Sequence, residues 1–459
     1  MTRAFARFAA CTPGMSRLGP ALGRTPRITH EVLEQANYCC FSLVAERNQK
    51  MNDIRFYDRP VFANGRNVVG IDIGKNKHSA VAVSPQGEKI ASLASFTSDR
   101  EGVERLEAQV LTPSGGPGRG LFAMEATGHY WMALYHELVR RGYQGVVLNP
   151  IQTHGEARTR IRKTKTDNRD AEGIARFILT GKAHAARIPD EKTAELRVLV
   201  RRRHQLLQMK GDIERSAQSL TDRVFPEYDR CLSKPFLPSA RAMIRAVGLS
   251  PERIAKEEDL TREVLARAGR GQLKTEIIDG LIQHARDSIG IRQTDQVIDD
   301  ELRATIDLIE DFELQIAELD SELERRMIES ASPLLSLGIG PALAATIHAE
   351  SDPASDFPSA RQYAAYAGLE PSTFDSGELR GTRTPISKRG SPHLRRALYL
   401  AAFSVYLKHD YFHRIYRRFR KAGHKHTDAL VIVARRLALV VWRMLKDNRP
   451  FAKRPPIRN

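Results

Sequence analysis

From Asn67 the apolar and polar positions fall into a regular order. VVGIDIGKNKHSAVAVS predicts two strands joined by a short Gly-Lys-Asn turn, since small and β-branched residues run on either side of it. EKIASLASFT predicts a third strand, and DREGVERLEAQVL, with its acidic first turn, a helix. After the loop TPSGGPGRG, LFAMEATGHY predicts a fourth strand ending in Glu125. WMALYHELVRRG then predicts a helix stopped by glycine, and YQGVVLNP a fifth strand. TDNRDAEGIARFILTGK supplies a closing helix. Three strands followed by alternating helix and strand describe an α/β domain with a mixed sheet over 67–190.

The pattern then changes period. From Glu195 to about Ser330 the chain reads as helical and charge-rich, a middle segment over 191–330. Leu302, Ile309, Ile316 and Leu323 recur at heptad spacing, with Phe312 and Leu319 in the intermediate seam. Such a stripe predicts either a short coiled coil used for self-association or a long antiparallel hairpin within one chain. The third region, 331–459, begins as helix, Gly338-Ile339-Gly340 turn and helix. It continues through the basic turn GTRTPISKRGSP and finishes in two basic helices. Residues 1–66 carry no such pattern; they are Arg-rich and hold three of the four cysteines. Poor order is expected for 1–60, with Met51 as the expected start of translation.

Charge sharpens this picture. The chain of 459 residues carries a formal net charge of +17, and 28% of its residues are charged. From Arg380 to the end there are 21 Lys plus Arg against three Asp, so the last 80 residues hold the whole surplus. A basic region so concentrated points to a polyanionic partner, a nucleic acid above all. A membrane is the weaker reading, because the best apolar run, ALVIVARRLALVVW, is broken by Arg435 and Arg436. Cys11, Cys39, Cys40 and Cys231 form no CxxC pair, which fits a reducing cytoplasm.

Against that basic background the carboxylates stand out. Asp72 lies within the apolar strand GIDIG, where an unpaired charge is costly. Glu125 ends the fourth strand. Asp167 and Asp170 lie one helical turn apart at the start of the closing helix. If the first and fourth strands are neighbours with the closing helix across them, the four converge, and four hard oxygen donors suit Mg²⁺ or Mn²⁺. Two such ions could clamp the attacking and leaving oxygens of a phosphodiester. The alternative for Asp167 and Asp170 is an N-cap and an acidic third position. An actin-like ATPase or sugar kinase would also open on Asp-x-Gly, but the second phosphate hairpin it needs is missing from the sequence.

The third region offers Ser376 in the turn FDSG, followed by Arg380, Arg383, Lys388, Arg389, Arg395 and Arg396. A hydroxyl among guanidinium groups could attack a phosphodiester; taken alone, the motif reads as an ordinary Ser-Gly turn. Gly338 and Gly340 could present a helix N-terminus to a phosphate. His409 and His413 have metal-ligand spacing but lack a third ligand. Phe412, Tyr416 and Phe419 read as a buried stripe, with Arg414, Arg417, Arg418 and Arg420 on the outer face.

Six motifs taken together resemble one family: GIDIGKNKHSAVAV, MEATGHYW, KTDNRDAEGIARF, LLSLGIGPALAATI, YAGLEPSTFDSG and ISKRGSPHLRRALY. In this order, over 67–445, they are similar to the DEDD transposases of bacterial insertion sequences and to the related pilin-gene inverting recombinases. The resemblance implies a RuvC-like, ribonuclease-H-type domain, a helical coiled-coil segment and a basic C-terminal transposase domain. It implies that Asp72, Glu125, Asp167 and Asp170 are the metal-binding tetrad, and that Ser376 forms a covalent phosphoserine link to DNA. It further implies a non-coding bridge RNA that specifies DNA by base pairing. Assembly into a dimer or tetramer is also implied, with the tetrad of one subunit beside the serine of another. Residues 1–60 and the long stretch 233–290 depart from the pattern. The alternatives are a Holliday-junction-type endonuclease using water as nucleophile, and a non-catalytic nucleic-acid-binding protein.

Overall fold

The computed structural model describes residues 55–150, 152–153, 167–232, 236–270, 273–292, 295–351, 354, 357–371, 375–376, 379–380, 386–388 and 390–452. The expected start at Met51 lies outside them.

Strands β2 (Val68–Ile73), β3 (His78–Val83) and β4 (Lys89–Phe96) form an antiparallel meander. On the other side of β2, β5 (Leu121–Glu125) and β6 (Gln144–Leu148) join in parallel. All five were legible as strands, and β2 and β5 are neighbours as the carboxylate argument required. Two further strands extend the sheet: β7 (His184–Arg187) runs antiparallel to β6, and β1 (Arg55–Pro60) pairs with β7. The seven-stranded order is β1-β7-β6-β5-β2-β3-β4. Neither of these two strands was expected. HAAR is too short to show an alternating period, and residues 55–60 fall in the stretch expected to be poorly ordered yet find a partner over a hundred positions away.

Helices cover both faces of this mixed sheet. On one, Val69, Ile71, Phe122 and Met124 bury against Leu106 of α1 (Arg100–Leu106) and Trp131, Leu134 and Leu138 of α2 (Tyr130–Arg140). Asp99 caps α1 by accepting from the Gly102 amide at 2.8 Å. On the other face, Val68, Leu121 and Ala123 bury against Ala171, Ile174, Ala175 and Ile178 of α3 (Asp167–Leu179). Burial on both faces explains why β2, β3 and β5 read as nearly continuous apolar runs. The architecture agrees with the ribonuclease-H-type domain that the resemblance implied.

The middle segment is an antiparallel pair of long helices, α4 (Glu191–Val224) and α9 (Asp295–Glu329). Its direction is fixed by pairs such as Glu195–Arg326 at 2.9 Å and Lys210–Glu313 at 2.6 Å. Between them four shorter helices intervene, α5 (Pro238–Ala246), α6 (Pro251–Lys256), α7 (Glu258–Ala268) and α8 (Thr275–Arg286). The heptad stripe is buried within the chain, and in three different places. Leu302 and Ile309 join the core of the short helices, Phe312 and Ile316 meet Leu206 of α4, and Leu323 reaches the C-terminal core. Of the two readings of the stripe, the intrachain hairpin is the one realised here.

After a short turn at Pro333–Leu337, Gly338 takes a left-handed φ of +66° and α10 (Pro341–Ser351) begins. α11 (Ala360–Tyr366) and a small hairpin, β8 (Asp375–Ser376) with β9 (Leu379–Arg380), follow. The chain closes with three basic helices where two were expected: α12 (Pro392–Lys408), α13 (Asp410–Lys421) and α14 (His426–Asp447). The break falls at His409, whose extended backbone ends α12. Leu430, Val433, Leu437 and Val441 of α14 face the core while Arg435 and Arg436 face out. Among the described residues no helix is long and apolar enough to cross a membrane.

Candidate active site

Strand register places the first two carboxylates. Ile71 of β2 is opposite Met124 of β5 in a parallel pair, so Asp72 and Glu125 are the next step on each strand, side by side at its C-terminal end. Side chains alternate along a strand, so Asp72 shares a face with Val68 and Gly70, and Glu125 with Leu121 and Ala123. That is the face covered by α3.

Gly70 sets the approach of that helix. A Cβ built there would lie 2.0 Å from the Ala171 carbonyl oxygen and 2.7 Å from the Ala175 nitrogen, so backbone meets backbone. At the far end of the sheet the Arg176 guanidinium comes within 3.1 Å of where a Cβ of Gly87 would stand, in the turn joining β3 and β4. α3 therefore runs antiparallel to β2, with its N-terminus at the Asp72 end. Asp170 extends the stripe of Ala171, Ile174 and Ile178 that faces the sheet.

Asp72, Glu125 and Asp170 are each half-buried. Glu125 accepts a hydrogen bond from the Thr153 hydroxyl at 2.7 Å. Asp167 is the first residue of α3, and its side chain lies outside the described residues. Among the described residues no three acidic, histidine or cysteine side chains are drawn together to metal-ligand spacing. The donor chemistry nonetheless fits a hard divalent cation: carboxylates alone, on one edge, partly shielded from water. Two buried polar atoms beside them, Ser79 Oγ and Asn168 Oδ1, have no hydrogen-bond partner among the described residues. Ser79 is directly opposite Asp72 in the β2–β3 register and thus on the same face. Sequence reasoning passed over both; a serine in an apolar strand gives no signal until its neighbours are known.

The remaining candidates lie elsewhere in the chain. Ser376 and Leu379 are paired across the β8–β9 hairpin, and the two turn residues between them, like the Ser376 and Arg380 side chains, lie outside the described residues. Arg383 and Arg389 lie outside them too. Nothing in the described contacts brings the serine to the carboxylates. Lys388 is exposed with φ +52°. Arg395 is half-buried and donates to the carbonyls of Lys388 at 3.1 Å and Ala367 at 3.4 Å, so it ties the start of α12 to the preceding loop. Arg396 is exposed, and its guanidinium contacts His204 of α4. The Gly338 carbonyl accepts from Lys408, while Gly340 stands at the head of α10. His409 and His413 bond to the carbonyls of Leu337 at 2.9 Å and Tyr406 at 3.2 Å. Phe412 is fully buried, Tyr416 and Phe419 partly, and Arg414, Arg417, Arg418 and Arg420 are exposed.

One buried polar cluster was missed altogether. Glu350 of α10 is 1% exposed, pairs with Arg201 of α4 at 2.9 Å and accepts from Ser391 at 3.0 Å. Ser391 in turn caps α12 through the Leu394 amide. Three elements distant in sequence meet there.

Comparison with known proteins joins the two halves. A DEDD transposase model of the IS110 type matches residues 69–226, and a model described as transposase of the IS116/IS110/IS902 family matches 334–417. An uncharacterized protein of insertion element IS116 from Streptomyces clavuligerus is 28% identical over 410 residues, covering 85% of this chain and 97% of the relative. The pilin gene-inverting protein of Moraxella bovis is 24% identical, covering 84% of this chain and 98% of that protein. An IS110 protein of Streptomyces coelicolor is 28% identical over 84% of this chain and 96% of its own length. The matches cover both the carboxylate-bearing sheet and the serine-bearing hairpin, and the chain belongs to the IS110/IS116 family of DEDD transposases.

Proposed function

We propose that this transposase cuts and rejoins DNA by metal-assisted transesterification through a covalent serine–DNA intermediate. The observation that supports this reading is the register of β2 and β5, which sets Asp72 beside Glu125 at the ends of their strands, with α3 lying across the same face at Gly70. Asp72, Glu125, Asp167 and Asp170 would hold Mg²⁺ or Mn²⁺. Such ions, when bound, polarise a phosphodiester and neutralise charge on its oxygens. The Ser376 hydroxyl would attack phosphorus; its proton leaves, the P–O3′ bond breaks, and the 3′ oxygen departs as a hydroxyl. The phosphoserine keeps the phosphodiester bond energy, and attack by the 3′ hydroxyl of another strand rejoins DNA and releases the serine.

Sequence choice would come from a non-coding RNA rather than from the protein. The concentrated positive charge of the C-terminal helices supports that division, because backbone contacts carry affinity without base identity. Two or more subunits would assemble to bring the serine of one to the carboxylates of another. The test is cleavage of labelled DNA carrying the element's ends, in Mg²⁺, by Asp72→Asn and Glu125→Gln. Each should lose roughly a hundred-fold in cleavage while still binding DNA. Full cleavage by Asp72→Asn would refute the metal site.

A further inference from the structure

A cleft of about 470 Å³ opens between α4, α9, α10 and α12, away from the carboxylate edge. Its inner wall is apolar, built by Val200, Leu207, Leu343 and Ala397. Polar groups stand around that wall. His204 and His393 meet edge to face with ring centroids 5.2 Å apart, and Arg396 reaches across to His204. Asp320 is neutralised by Arg203, and Arg201 by the buried Glu350. Glu324, exposed on α9, has no ion-pair partner among the described residues. Gly340 and Pro341, at the head of α10, form part of the rim, where the helix dipole favours an anion. Burial holds His204 down to about 4 and lowers His393 as well, so near neutral pH both rings are uncharged and keep a hydrogen-bond acceptor.

An apolar wall, with the Glu324 carboxylate and the Arg396 guanidinium left outside the ion pairs at the mouth, matches the parts of a nucleotide, and the volume lies in the range of sites for small molecules. A duplex is far too wide to enter. We propose that this cleft receives a single unpaired nucleotide of the bound nucleic acid. The base lies against Leu207, Leu343 and Ala397, its exocyclic amine donates to Glu324, and its phosphate meets Arg396 and the head of α10. This inference rests on the reading of the chain as a nucleic-acid enzyme. It adds a base preference: cytosine, which offers an amine, over uracil, which does not.

The test is binding of mononucleotides to the full-length protein by titration calorimetry, with ribose 5-phosphate as the baseless control. Cytidine and deoxycytidine 5′-monophosphate should bind roughly ten-fold more tightly than ribose 5-phosphate, and uridine monophosphate more weakly than cytidine. The tighter of the ribo and deoxyribo forms identifies the source as RNA or DNA. Glu324→Ala, a surface change that removes the acceptor, should erase the preference for cytosine over uracil. Leu343→Trp, which fills the cleft, should abolish mononucleotide binding and leave a long DNA duplex bound as before. Mononucleotides bound no better than ribose 5-phosphate, or a cytosine preference that survives Glu324→Ala, would overturn the proposal. Duplex binding and Asp72-dependent cleavage are read separately, so the cleft can fail while the recombinase reading stands.

Discussion

At the scale of single residues, the candidate site depends on what is missing from Gly70 as much as on what Asp72 supplies. Gly70→Ala would place a methyl group inside the Ala171 carbonyl, and the helix would have to lift off the strand. A loss of about 3 kcal/mol in stability is expected, at the upper end of overpacking costs, and thermal unfolding checks it. Ser79→Ala predicts a dissociation of stability from binding. Removing a buried hydroxyl that has no partner among the described residues leaves the melting temperature unchanged or slightly higher. If Ser79 Oγ serves the metal's water shell, Mn²⁺ affinity by EPR titration should fall several-fold; an unchanged affinity would make the serine structural. Asp72 was legible in the sequence because a charge in an apolar strand demands an explanation. Ser79 was not, because its oddity is a buried hydroxyl with no hydrogen-bond partner among the described residues, which no one-dimensional pattern records.

Among the elements, α9 carries the clearest lesson about legibility. Its heptad stripe was visible, but periodicity says only that a face is buried, not against what. The ion pairs decide the partner: Glu313 accepts from Arg241 of α5 at 2.7 and 2.8 Å and meets Lys210 of α4 at 2.6 Å. The Arg241 hydrogen bonds, with a smaller contribution from Lys210, hold the Glu313 carboxyl down to about 2, against an ordinary value of 4.5. A depressed carboxylate stabilises the fold above its unfolded value and loses that contribution as pH falls through the folded one. Glu313→Gln should therefore lower the melting temperature at pH 7, and the difference should shrink below pH 4.5 and vanish near pH 2. A difference independent of pH would assign the effect to packing. Strands β1 and β7 mark the opposite limit: their pairing is long-range, their segments are short, and composition hid them.

For the whole molecule, the asymmetry of charge is the property most directly tied to function. The outward face of α13 presents Arg414, Arg417, Arg418 and Lys421, all exposed. If these four meet phosphates, replacing the three arginines with alanine should reduce the salt dependence of DNA binding by about 2–3 in the log–log slope, uniformly across sequences. A change confined to one sequence would point to base reading instead. The positions of the carboxylates could be reasoned from pattern and strand order. The role of Ser376 could not, since a Ser-Gly turn is common and only the family resemblance singles it out. The measurement that tests the account most directly is a denaturing gel of the full-length protein, Mg²⁺, any co-purifying RNA and labelled DNA carrying the element's ends. The account predicts a covalent protein–DNA adduct that disappears in Ser376→Ala. Free cleaved strands without an adduct, unaffected by Ser376→Ala, would contradict it and leave a metal-dependent nuclease.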